Sequence, residues 1–125
     1  MSNSGPGYKT HPEHRITVEP VKDRVKVAFD GEILADTVRA VRLREANYPP
    51  VYYVPRQDVK MERLVRTDHR THCPFKGDAS YFSLAGTRPV VNAVWSYETP
   101  FDEVMDIKER LAFYPDKVTI TVEPA

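Results

Sequence analysis

The chain has 125 residues, enough for one domain with a buried core. It carries 18 basic and 18 acidic residues, so no net charge draws it to nucleic acid or to an anionic membrane. A single cysteine excludes an internal disulfide, and no apolar run approaches the ~20 residues that span a bilayer.

The polar start, Met1-Ser2-Asn3-Ser4-Gly5-Pro6-Gly7, lacks the apolar stretch of a secretory signal. The expected setting is therefore cytoplasmic, with no membrane partner and no nucleic acid. Residues 1–14 are rich in Gly, Pro, Ser and His and have no periodicity, which predicts a flexible arm, mobile or loosely docked, ahead of one β-rich domain over 15–125.

From there the pattern is that of strands. Ile16 and Val18 alternate with polar neighbours up to Pro20, and Val25, Val27 and Phe29 do the same. Asp30-Gly31 then predicts a tight hairpin, because its backbone needs positive φ, and the return strand is Glu32–Asp36. Val41 and Leu43 share one strand face, with Ala40, Arg42 and Arg44 on the other. Tyr48-Pro49-Pro50 is a turn into the short strand Val51–Val54.

Asp58 can cap a short helix with Met61, Leu64 and Val65 on one face. A loop broken by Pro74 and Gly77 follows, then a strand over Ala79–Leu84 and a turn at Ala85-Gly86-Thr87. Val90–Tyr97 is apolar on both faces and so reads as a central strand. Thr99-Pro100-Phe101-Asp102 looks like a helix start, with Val104, Ile107 and Leu111 as the buried stripe. Val118, Ile120 and Val122 form a last strand. Short connections favour antiparallel pairing. The expected fold is mainly β: a compact antiparallel sheet assembly or partly open barrel with one or two short helices.

Reactive side chains concentrate in Thr67–Tyr81, which holds the only cysteine and two of the four histidines. Cys73 has His72 beside it and Arg70 and Lys76 close by, and cationic neighbours favour thiolate chemistry. The competing reading is an inert cysteine filling space. On an extended segment His72 and Cys73 point opposite ways, so His72 is a poor direct base. Lys76-Gly77 supplies a point charge and a close backbone approach, suited to a phosphate or carboxylate, or else a turn glycine beside an ion-paired lysine. No full phosphate-binding loop motif is present. His69, His72 and Cys73 offer metal donors, but no Cys-x-x-Cys pair accompanies them, so no metal is expected. Tyr81, Trp95 and Tyr97 lie on two strands joined by a short turn and form either core packing or an aromatic pocket wall.

Several words in order resemble a known family, the bacterial domain of unknown function 427. They are Ala35-Asp36-Thr37, Tyr52-Tyr53-Val54-Pro55-Arg56-Gln57-Asp58-Val59, Thr71-His72-Cys73-Pro74-Phe75-Lys76-Gly77, Ala79-Ser80-Tyr81, Trp95-Ser96-Tyr97 with Pro100, and Ala112-Phe113-Tyr114. Thr37 stands where Ser is usual, and Glu109-Arg110-Leu111 departs from a small, aromatic, β-branched run. The resemblance implies a small β-tent-like fold, similar to methionine sulfoxide reductase B and the yippee proteins, and carries a nucleotidyltransferase-like label. Nucleotidyl transfer needs closely spaced carboxylates for magnesium, and no Asp-x-Asp pair is present. The β-tent relatives hold zinc with two Cys-x-x-Cys pairs, which one cysteine cannot supply.

These readings converge on a small anionic or planar ligand bound in a pocket lined by Cys73, Lys76 and aromatics. Cys73 and Lys76 are the catalytic candidates, and His72, Tyr81, Trp95 and Tyr97 the ligand-binding ones. No cofactor is identified. The alternative is a non-catalytic protein-interaction or self-association module.

Overall fold

A computed structural model describes residues 3–86 and 88–125, so Met1, Ser2 and Thr87 of the expected arm and turn lie outside the described residues. The fold is mainly β, with three antiparallel sheets that do not close into a barrel. The first sheet runs β1 (Ile16–Pro20), β4 (Val41–Glu45), β5 (Val51–Tyr53). The second runs β10 (Thr119–Glu123), β2 (Arg24–Phe29), β3 (Glu32–Thr37). The third runs β6 (Leu64–Cys73), β7 (Gly77–Leu84), β8 (Val90–Tyr97), β9 (Ala112–Phe113). Single bridges stitch them together, Val54 to Leu111 and Ala35 to Val59. Among the described residues no helix is long and apolar enough to cross a membrane.

The hairpin at Asp30-Gly31 forms as its sequence dictates, with φ of 53° and 80° at the two turn residues. Val25 and Val27 are buried, and so are Val41 and Leu43. β8 lies inside its sheet between β7 and β9. β7 feeds two cores from its two faces. Ala79 and Tyr81 join a cluster with Leu43, Tyr53 and Tyr97, while Phe82 and Leu84 join one with Val25, Val27 and Val94.

Two expected elements differ. The helix after Asp58 is instead a pair of 3-10 turns, Arg56–Asp58 and Met61–Arg63, and the chain then extends directly into β6. The segment expected as a loop is thus most of a ten-residue strand paired to β7, and only Pro74–Lys76 connects them. The second expected helix is a 3-10 segment, Asp102–Ile107, broken by non-helical backbone at Val104. Its stripe is nevertheless buried as read, since Val104, Ile107 and Leu111 are all sealed from solvent.

β6 forms the outer edge of its sheet and is exposed along most of its length. Its register slips between Arg66 and Arg70, and β8 slips opposite Phe82 and Leu84, where Asn92 takes φ of 53°. Thr67 Oγ1 donates to Asn92 Oδ1 at 2.6 Å, tying the two bulges together across β7.

The arm is docked. It contains α1 (Gly7–Thr10), and Gly7 N–H donates to Pro74 O at 3.0 Å while the Tyr8 hydroxyl donates to Phe75 O at 2.9 Å. At its base the His14 ring stacks on Phe75 with centroids 4.1 Å apart. Its glycines permit this approach: a Cβ on Gly7 would sit 2.8 Å from the Phe75 ring.

Candidate functional site

The β6–β7 hairpin turns at Cys73–Gly77, and Gly77 takes φ of 117°, open only to glycine. This sharp return buries Phe75 under the arm and points Lys76 inward. Lys76 Nζ donates to Glu45 Oε1 at 2.8 Å and lies 5.9 Å from the centre of the Tyr97 ring. Glu45 Oε2 meets His14 Nε2 at 2.8 Å. One carboxylate at the end of β4 therefore holds both the lysine of the loop and the histidine of the arm, and all three side chains are at least three-quarters buried. Burial pushes the Glu45 carboxyl up, but the bonds and charges of Lys76 and His14 outweigh it and hold the group below the ordinary carboxylate range.

Cys73 is half-buried and packs against the cluster of Tyr53, Tyr81 and Tyr97. His72 points the other way, to solvent, where Nδ1 meets Asp78 Oδ1 at 2.7 Å. The alternation expected of an extended segment thus separates the two. His69 packs edge-on against Tyr81 at 4.5 Å. Among the described residues no three His, Cys, Asp or Glu side chains converge as a metal site requires.

The aromatics share one cluster. Tyr81 and Trp95 are directly opposed across β7 and β8, and Ala79 faces Tyr97. Tyr81 is hydrogen-bonded to Thr71 Oγ1 at 2.9 Å. Trp95 Nε1–H donates to the Tyr53 hydroxyl at 3.2 Å, and its ring tilts over Tyr114 at 4.5 Å. Burial raises the phenols of Tyr53 and Tyr97 well above their ordinary value, and it pushes Tyr114 up to about 12 with help from Tyr81. These hydroxyls stay protonated at neutral pH and remain hydrogen-bond donors.

Trp95 also faces a cavity of about 650 Å³ where the three sheets meet. One wall is the Tyr48–Tyr52 segment, another is Trp95 with Phe113 and Pro115, and the third is Ile120 and Val122 of β10. Among the described residues Glu45 is its one charged lining residue. Cys73, Lys76, His72, Tyr81 and Tyr97 do not line it, so the expected convergence of thiol, ammonium and aromatic wall does not occur at this cavity. Glu45 instead sits between them, with the cavity on one side and Lys76 on the other. Sequence reasoning missed Glu45, His14, Tyr53 and Phe113. Glu45 is 31 residues from each of its partners, and no local pattern reports such a pairing.

The family model described as Domain of unknown function (DUF427) matches residues 17–124, and the chain belongs to that family. No curated protein matches it.

Proposed function

Taking that family membership as given, we propose that the domain binds a small planar, largely apolar molecule in the cavity before Trp95. The observation that carries this is the cavity itself. Its volume falls within the roughly 300–1,000 Å³ of small-molecule sites, and its lining is aromatic and proline-rich with one carboxylate. Trp95 is held rigid by Tyr53 and Tyr114, which makes it a preorganised stacking platform. The anionic character expected of the ligand loses its support, because the Lys76 ammonium is committed to Glu45. Glu45 on the wall favours a neutral ring or one bearing a basic nitrogen.

With one tryptophan in the chain, a single indole N–H signal in a ¹⁵N-correlated NMR spectrum reports on the site. Quinoline, purine and benzimidazole serve as probes. At least one should move the Trp95 signal saturably, and Val122→Arg, which fills the exposed rim, should weaken that binding about tenfold. No saturable shift up to millimolar probe, or unchanged affinity in V122R, refutes the reading.

One observation favours the alternative of an interaction or self-association module: Tyr48 is 67% exposed at the same rim. In that case Tyr48→Ser changes the sedimentation behaviour of the chain, and no probe moves the Trp95 signal saturably in the wild type.

A further inference from the structure

We infer that the cleft between Arg56 and Arg110 is a second ligand site, on a separate surface from the Trp95 cavity, for a doubly charged oxyanion group such as a phosphate ester. The cleft has a volume of about 290 Å³ and is lined by Pro55, Arg56, Gln57, Lys108, Glu109 and Arg110. Three cations and one carboxylate face it, in a chain whose overall charge is zero.

These cations are poorly compensated. Among the described residues neither Lys108 nor Arg110 lies in an ion pair. Arg110 is half-buried, and only its Nη1 is engaged, donating to Arg39 O at 2.8 Å. Burial works against its charge, and the carboxylates that favour it, Asp106 and Asp58, act from beyond ion-pair distance. Arg56 does pair with Glu98, but that carboxylate is shared with Arg66, so one negative charge serves two guanidiniums. Arg56 Nη1 has no hydrogen-bond partner among the described residues.

The backbone fixes this arrangement. Glu109 takes φ of 61°, a conformation that costs a non-glycine residue energy and persists only where the surroundings impose it. Its N–H donates to Tyr97 O at 3.0 Å, and its carbonyl accepts from Arg56 Nε at 2.6 Å. The strained residue thus holds Lys108 and Arg110 on either side of a cleft that Arg56 closes. A guanidinium with free donors beside an ammonium suits a tetrahedral dianion, with the fork binding two oxygens and the lysine a third. A carboxylate would leave part of the positive charge unmet.

The test uses the full chain with inorganic phosphate, phenyl phosphate and acetate at constant ionic strength, read from backbone amide shifts. Both phosphates should shift the Lys108–Arg110 amides saturably, and acetate should not. If only phenyl phosphate does so, the site is for esters; if both do, the phosphoryl group alone suffices. Binding should be tighter at pH 7.5 than at pH 5.5, because the second ionisation of phosphate lies near pH 6. Lys108→Gln removes an exposed side chain, should leave the melting temperature unchanged, and should weaken phosphate binding about tenfold. The Trp95 indole signal should stay still. Shifts that merely track chloride, equal affinity in K108Q, or a phosphate response at Trp95 instead overturn the inference.

Discussion

Glu45→Gln tests the join between arm, hairpin loop and cavity. The substitution keeps the shape of the side chain but removes the charge that holds Lys76 and His14, each at 2.8 Å. Removing one partner of a fully buried ion pair costs about 3–5 kcal/mol, and an exposed pair about 0–1 kcal/mol. The Lys76 and Glu45 side chains are 15% and 17% exposed, so the loss belongs nearer the buried limit, at about 2–3 kcal/mol. For a domain of this size that lowers Tm by about 8–12 °C. Thermal and urea unfolding followed by circular dichroism measure it. Lys76→Met in the same background removes the stranded ammonium and should recover at least about 1 kcal/mol. The pH dependence has a definite sign. Glu45 is held below its ordinary value in the folded state. Its contribution is therefore present above the unfolded carboxylate value near ~4.3 and is lost as the pH falls through the folded one. Wild type and Glu45→Gln should converge in stability on acidification. A Tm change under about 3 °C at pH 7, or a double variant no better than the sum of its parts, would mean the triad is incidental to the fold.

The remaining expectations concern the network on the opposite face of β8 and the thiol. Glu98 accepts from Arg66, Arg56 and Ser80, and these bonds, Arg66 first, lower its carboxyl to about 2 against the pull of burial. Stability owed to it is present above the unfolded carboxylate value and disappears between about 4.5 and about 2, so Glu98→Gln should flatten the acid limb of the unfolding curve there; an unchanged limb refutes this. Cys73 is half-buried against the tyrosine cluster, so iodoacetamide should modify it more slowly than free cysteine and reach the free rate only in urea. A native rate faster than free cysteine would instead reveal an activated nucleophile.

Much of the strand framework was readable because burial on one face imposes period two. Val41 with Leu43 announces itself this way, while the Asp30-Gly31 hairpin is read from its turn residues and β8 from apolar residues on both faces. β6 did not, because an edge strand exposed along its length has no apolar alternation to show, and its pairing with β7 is a tertiary fact. Met61, Leu64 and Val65 mimicked a helix only because a turn and a strand happen to adjoin. In Asp102–Ile107 the buried stripe was right, with Val104 and Ile107 in the cluster around Tyr53, yet the backbone forms 3-10 turns broken at Val104. The arm's composition did not reveal its contacts, in which Gly7 lies against the Phe75 ring and Gly5 against Pro74, Tyr8 and Phe101. At the site, adjacency along two strands correctly united Tyr81, Trp95 and Tyr97. Glu45 and the Arg56–Arg110 cleft depend on segments dozens of residues apart, which only the fold brings together.

An outermost strand is a template on which any other extended chain can grow, and β6 offers ten residues of it. Here the template is spoiled twice. The slip between Arg66 and Arg70 breaks the even spacing of amides, so an incoming chain would find only short runs to match. Arg66 and Arg70 would also bring like charges together if a second copy lay alongside in register. With no net charge to keep molecules apart in a crowded solution, this ragged, cation-studded border takes on the task of resisting fibrous stacking.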